Sequence, residues 1–459
     1  MTKELFDRVP DSSGRKQCES SDEVGVPRLR LPERHQVEMH FSALDQLLEP
    51  DHPARAIWSA IEGLNLKQWL KRIQSVEGGP GRSATDPRLL VAVWVYATLD
   101  GVGSARRLAK LCDPKHGQLG YRWLCGGVTL NYHTLSDFRV QQGDAWDELV
   151  TQLVASLLHA GLVTMTRVAQ DGMRVEANAG KSTFRRRETL QHCLDDARKQ
   201  LAALKQLIDE DPQQLSQRET AARERAARER IQRVEQAIKN CEELQERREE
   251  RSKVDCKPAK EARASTSDPD ARNMKFPDGG YGPGHNVQYC TDVGSGVIVG
   301  VAVTNAGNDS QQCTPMLDQL RHRYDRIPED ILIDGGFVSR DTIDTAETRG
   351  CRVYAPVKDE EKQRLAGKDP FAKKKGDSPA VAKWRERMGT DLAKWIYRQR
   401  GQTAEWVNAQ ARNRGFYTMP VRGLTKCRTI AVLYALTHNI LESIKLRAQA
   451  AIEIGRAHV

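Results

Sequence analysis

Apolar residues recur with two periods along this chain, and the changes of period mark its parts. From residue 42 to 161 the spacing is helical. Leu90, Val93, Trp94 and Ala97 fall on one face behind Asp86-Pro87, an N-cap followed by a first-turn proline. Ser104 is placed to cap a short helix carrying Arg106 and Arg107. Thr134 with Asp137 resembles a capping box ahead of Phe138 and Arg139, and Gly161 is placed to close a helix over 145–160. Short helices, tight turns and exposed arginines permit a helix-turn-helix as well as a plain packing unit. Residues 1–35 hold few apolar positions and are expected to be a disordered tail.

A strand is expected at 166–171, and then the pattern is interrupted. The 81 residues 184–264 hold 20 basic and 17 acidic side chains. Leu190, Leu194, Ala197, Leu201, Leu204 and Ile208 follow a heptad seam; Asp211-Pro212 breaks it, and Ile231, Val234, Ile238 and Cys241 begin a second. This predicts an antiparallel helical hairpin, solvated and laced with salt bridges rather than a phosphate clamp. Setting it aside shortens the Asp171–Asp334 separation from 163 residues to 82. That interval reads as strands at 286–293 and 297–304 joined by Gly294-Ser295-Gly296, then a helix at 314–323 and a strand at 331–334. A helix at 339–349 and a strand at 352–357 follow. The order β, β-hairpin, α, β, α, β, α is that of an α/β RNase H-like core, a mixed sheet flanked by helices. The expected domains are an all-α N-terminal domain at 36–161, the core at 162–183 plus 265–440, the inserted hairpin at 184–264, and a C-terminal tail at 441–459. The last residues, IGRAHV, match the translation of a common sequencing adapter. The native C-terminus is therefore expected to be missing after about Glu453, and no function is read from 454–459.

Charge sharpens this picture. The chain of 459 residues carries a net charge of +9, and the segment from Lys358 to Arg428 alone holds 18 Lys and Arg against 8 Asp and Glu. So concentrated an excess is the footprint of a polyanion partner. Arg398, Arg400, Arg412 and Arg414 are the candidate DNA contacts, whereas Lys373, Lys374 and Lys375 fit a solubilising loop equally well. The ten cysteines include no C-x-x-C pair, so reduced, mostly buried thiols are expected rather than a zinc site. The longest apolar run, 149–163, contains Gln152 and His159 and is too short to span a membrane. The N-terminus has no apolar leader, and the chain reads as cytosolic.

The candidate chemistry lies in three carboxylates. Asp171 closes TRVAQDG, Asp334 sits in ILIDGG, and Glu405 stands on a polar helix in YRQRGQTAEW. Each Asp-Gly taken singly would merely open a turn. Two strand-end aspartates and one helical glutamate can instead gather hard oxygen ligands for a pair of Mg²⁺ ions, as phosphodiester chemistry requires. Glu347 and Glu386 compete for the third place. His285 and Asn286 enter the hairpin beside the site, Asn286 either orienting a ligand or satisfying a turn. Trp406 either packs in the core or stacks on a flipped base.

The segments 86–112, 121–127 (YRWLCGG), 133–139 (HTLSDFR), 265–275 (STSDPDARNMK), 282–288 (GPGHNVQ), 331–337 (ILIDGGF) and 397–406, in that order, resemble the DDE-type transposases of bacterial insertion sequences. The resemblance runs from roughly residue 36 to 440. It implies an N-terminal domain that recognises the element's ends. It also implies metal-dependent DNA cleavage and strand transfer by Asp171, Asp334 and Glu405, with two Mg²⁺ ions for which Mn²⁺ would substitute. The partners implied are terminal inverted repeats and target DNA, engaged by a homodimer associated with the nucleoid, with no membrane. Tyr397, Arg400, Glu405 and Arg412 are similar to that family's Tyr-Arg-Glu-Lys signature. Here the Arg-to-Glu gap is one residue longer and Arg replaces Lys. Preferring Glu405 over Glu386 rests on its following this signature, and the resemblance also leaves room for an RNase H-like nuclease or an inactive derivative that only binds DNA.

Overall fold

The computed structural model describes residues 43–73, 75, 83–210, 216–255 and 258–457; the expected tail at 1–35 and the break at Asp211-Pro212 lie outside them. The helical region comprises α1 (Pro53–Glu62), α2 (Pro87–Leu99), α3 (Ala105–Leu111), α4 (Leu119–Cys125), α5 (Tyr132–Gln141) and α6 (Gly143–His159). Asp86 caps α2 by accepting from Arg88 N at 2.8 Å, and Ser104 caps α3 by accepting from Arg107 N at 3.3 Å. The capping box at Thr134 does not form. Asn131, already extended, accepts from His133 N at 2.9 Å and starts α5 early enough to leave Thr134 inside the helix. Gly161, at φ +71°, turns the chain out of α6 as expected. Trp69, Phe138 and Trp146 pack with ring centroids 5.6–5.8 Å apart, and Trp94 Nε1 donates to Leu135 O at 3.0 Å.

The sheet is built from β1 (Arg167–Glu176), β2 (Arg272–Lys275), β3 (Tyr281–Asp292), β4 (Ile298–Thr304), β5 (Asp330–Leu332) and β6 (Arg352–Tyr354). Central β1 pairs antiparallel with β3 and parallel with β5, and β5 pairs parallel with β6. The far side of β3 is shared by β4 and the short β2. Helices α9 (Cys313–Tyr324) and α10 (Arg340–Thr348) make the crossovers to β5 and β6, and the arrangement is RNase H-like. Several strands differ from expectation: β2 is not among those expected, β3 begins at Tyr281 rather than at 286, and β5 and β6 end at Leu332 and Tyr354. β1 does not stop at Asp171 but continues to Glu176, because β3 goes on pairing with it as far as Gly284 and Gly172 keeps the strand extended.

The hairpin of α7 (Arg187–Glu210) and α8 (Gln217–Asp255) leaves and rejoins the core between β1 and β2. Its helices are antiparallel: Arg187 pairs with Glu242 at 2.8 Å and Arg198 with Glu235 at 2.9 Å. The seam is dry only near the root, where Leu190, Leu194, Ala197, Val234 and Cys241 are buried. Leu201, Leu204 and Ile208 remain half-exposed farther out. Leu190, Ala237, Cys241, Ala262 and Ala264 form an apolar cluster separate from the main core. At the root Asn240 Nδ2 donates to Pro269 O at 2.8 Å and Asp270 Oδ1 at 3.2 Å.

After β6 come α11 (Pro379–Met388), α12 (Asp391–Arg400), a π-helical turn at Gly401–Glu405, α13 (Trp406–Asn413) and α14 (Leu424–Ala457). α14 packs on α6, α2 and α1 as well as on β4, so helical region and sheet share one apolar core. It also replaces the expected tail from residue 441 as far as Ala457. Glu442 and Ser443 are still buried, and neither glycine nor proline interrupts the helix before Gly455. Among the described residues no helix is long and apolar enough to cross a membrane. The eight described cysteines are unpaired, and all but Cys193 are buried.

Because the hairpin's cluster is separate, replacing 186–252 with a short Gly-Ser linker is expected to leave a soluble core with a cooperative thermal transition. Circular dichroism and a melting curve test this; an aggregated product without a transition would rule it out.

Candidate active site

The register of β1 against β5 ends with Ala169 opposite Leu332, and two further residues on each strand bring Asp171 beside Asp334. Beyond Leu332 the backbone of β5 opens into a turn, where Gly336 N donates to Asp334 Oδ1 at 2.7 Å. Asp171 Oδ1 accepts from Gly172 N at 2.9 Å, and its Oδ2 accepts from Asn408 Nδ2 at 3.0 Å. The carboxylates are thus held by backbone and amide donors on one side only.

On the open side stands Arg400. Its Nη1 lies 2.7 Å from Glu405 Oε1, and its Nη2 lies 3.3 Å from Asp171 Oδ1 and 3.9 Å from Asp334 Oδ2. In a regular α-helix a residue five positions on points well away from the first. The π-helical turn at Gly401–Glu405 closes with i→i+5 geometry and returns Glu405 to the face of Arg400. The extra residue in the signature is absorbed here. Side-chain exposure rises from 14% at Asp171 through 37% at Asp334 to 60% at Glu405, so the group opens toward solvent on the glutamate side.

A family model described as a transposase DDE domain matches residues 259–440, and another described as a transposase domain (DUF772) matches 42–141. The chain belongs to the DDE transposases. Asp334, Arg400 and Glu405 fall inside the first match, while Asp171 lies in the interval between the two, on the far side of the inserted hairpin. No curated protein and no solved structure matches the chain significantly.

The electrostatics of the transposase site follow from crowding. Burial pushes the Asp171 carboxyl up to about 6; Arg400 opposes the shift, and Asp334 and Asp309 reinforce it. Arg400 is raised despite its own burial by Asp171 and the surrounding anions. Burial also raises the Tyr397 hydroxyl, with Arg400 pulling the other way.

Two contributors escaped the sequence reading. Asn408 is buried on α13, three residues after Glu405 and on the same helical face, a spacing that was available as a signal. Asp309 lies in the polar run after β4 and had no such signal. Its Oδ1 accepts from Asn286 Nδ2 at 2.7 Å and Gln288 Nε2 at 2.6 Å, and its Oδ2 lies 3.5 Å from Arg174. A Cβ on Gly172 would collide with Asp309 Oδ1 and stand 2.5 Å from Gln288 Nε2. Asp309 therefore supports the backbone that carries Asp171, and Asn286 serves it rather than a turn.

The other candidates are dispersed. Arg398 is exposed and Arg412 half-buried, and neither has a carboxylate partner among the described residues. Arg414 faces a cavity lined also by Arg139. Glu347 is paired with Arg387, and Glu386 is exposed on α11; neither pairs with Arg400. Trp406 is 36% exposed and meets His438 edge-on at 5.5 Å. His285 is fully buried and lies 3.1 Å from Asp268 Oδ2, near Cys427. Asp268 Oδ1 accepts from Gly423 N at 3.2 Å, so this cluster braces the start of α14.

Gly172→Ala is expected to cost about 1–3 kcal/mol, read as a lower urea midpoint, because Asp309 and its amides must move. Asp171 titrates higher in the folded chain than unfolded, so its contribution favours folding below the unfolded value and is lost as pH rises through about 6. In metal-free buffer Asp171→Asn is therefore expected to gain melting temperature relative to wild type between pH 4 and 7. A constant difference across that range would contradict the raised value.

Proposed function

We propose that this transposase cleaves DNA at the ends of its element and joins them to a target, binding the terminal inverted repeats. The observation that carries the reading is the convergence of Asp171, Asp334 and Glu405 on one cation, the Arg400 guanidinium. The donor set fits divalent metal: it is all carboxylate oxygen, and one guanidinium leaves two negative charges uncompensated when all three acids are ionised. A pair of Mg²⁺ ions, or Mn²⁺ in their place, would supply an activated nucleophile and stabilise the leaving oxygen.

The chain's own residues do the rest. Asn408 and Gly172 N fix the two oxygens of Asp171, and Gly336 N fixes one of Asp334, so both present defined lone pairs. Arg400 holds the acids together against their mutual repulsion and carries N–H donors suited to a phosphate oxygen. Arg398 and Arg412, without carboxylate partners among the described residues, and Tyr397 are suited to backbone contact along the same helical run. The hairpin, too charged for a core, would pack on DNA or on the second subunit of a homodimer.

The test is incubation with the element's flanking DNA and Mg²⁺, followed by strand analysis. Asp171→Ala, Asp334→Ala and Glu405→Ala are each expected to lower cleavage by about 10²–10³-fold, the scale of losing one charge-stabilising group. Binding to end DNA should stay nearly unchanged, because phosphate contacts supply most affinity. Cleavage retained in Glu405→Ala but lost in Glu386→Ala would move the third acid. Cleavage without joining would leave a nuclease.

A further inference from the structure

Several half-buried arginines in this chain are paired with carboxylates. Arg167 meets Asp330 at 2.8 Å, Arg323 meets Asp147 at 2.5 Å, and Arg385 meets Asp377 at 2.8 Å. Arg139 and Arg414 have no such partner among the described residues. Arg139, on α5, is 5% exposed; its Nη1 donates to Gly103 O at 2.6 Å, its guanidinium lies 4.3 Å from the Trp94 ring centroid, and its Nε has no partner. Arg414, just after α13, lies 5.8 Å over the Tyr434 ring and has a buried Nη1 without a partner. Neither has a carboxylate in ion-pairing reach among the described residues.

Both arginines line one half-open cavity of about 90 Å³ between the helical region and the segment after α13. No acidic residue contributes to its wall, where Thr98 and Thr418 are the other polar side chains and aromatic and aliphatic groups, among them Ile430 and Leu433, supply the rest. The walls are held close by backbone. A Cβ on Gly101, at φ +67°, would stand 2.9 Å from Arg414 O. Guanidinium stays charged at any physiological pH, and a buried charge without a counter-ion is costly. Contact with the Trp94 and Tyr434 rings holds each planar guanidinium in place at the wall.

We propose that this cavity binds a phosphate group, one supplied by a DNA backbone running from the helical region toward the catalytic sheet. The cavity admits a single phosphate. Two guanidiniums can meet its oxygens with charge-assisted hydrogen bonds. Exposed Arg106 and Arg107 begin the helix directly after Gly103 in the wall and would continue the basic track. The choice of DNA over free phosphate rests on the transposase reading; the anion site itself does not.

Two arms test this on the full chain. Inorganic phosphate should raise the melting temperature of wild type at constant ionic strength and leave Arg139→Gln/Arg414→Gln unmoved. Duplex DNA titrated across salt should show the log–log slope reduced by about 0.9 in either single variant, as for one lost phosphate contact, and retained in Arg→Lys. Should Arg139→Gln fail to fold, Thr98→Glu and the isosteric Thr98→Gln replace it. The carboxylate should raise stability over the amide and abolish the response to phosphate. A phosphate response without any slope change would place only a free anion in the cavity and overturn the DNA assignment. No phosphate response and Thr98→Glu no more stable than Thr98→Gln would overturn the site. Failure of wild type to bind DNA at all would defeat the transposase reading and leave the phosphate arm to decide the cavity.

Discussion

The guanidinium of Arg400 lets Asp171, Asp334 and Glu405 stand together. Carboxylates at such separations repel strongly once they leave bulk water, and the incomplete compensation is visible in the raised Asp171 carboxyl. The strands and helices around the site can be understood as means of bringing three acids to one cation. β5 stops two residues short of Asp334, so its backbone does not screen the carboxylate. β1 runs on past Asp171 because Gly172 yields its side-chain volume to Asp309. The same crowding that makes the group difficult to assemble makes it ready to accept a cation of higher charge.

A second constraint is that the helical region is not tethered to the sheet but fused with it. α14 lies between them, and Asp147 on α6 receives Arg323 from α9 at 2.5 Å and Arg428 from α14 at 3.0 Å. With a shared apolar core and ion pairs bridging three elements, the two regions are expected to unfold as one cooperative unit. A shift of the helices on a bound duplex would be transmitted to α14 and through it to β4, the strand that α14 covers.

Most of the architecture was legible because it rests on local rules. Asp86-Pro87, Ser104, Gly161 and the Gly294-Ser295-Gly296 turn each announced an element boundary through capping or turn chemistry. The misses share one cause. Thr134 lost its cap to Asn131, whose backbone was already extended; β1 outran Asp171 because a partner strand continued; α14 ran beyond residue 440 because neighbours still covered it. In each case tertiary context overrode a sound local signal. The site divides the same way. Its acids stood at recognisable positions, but Asp309 acts from a loop through the sheet to Gly172, and no spacing along the chain encodes that approach. Arg400 was expected to contact phosphate, and in the folded chain its partners are the three acids.

The π-helical turn has a consequence for how such chains change over time. One residue inserted into a regular helix turns everything after it by about 100°. Asn408 would then leave the site along with Glu405. Here the widened turn swallows the addition, so both flanking helical segments keep their facing. A single inserted codon between Arg400 and Glu405 is therefore survivable, and its loss would restore an unbroken α-helix. The quantity held fixed is direction in space rather than distance along the chain. A search pattern with rigid gaps would pass over this sequence although its side chains converge.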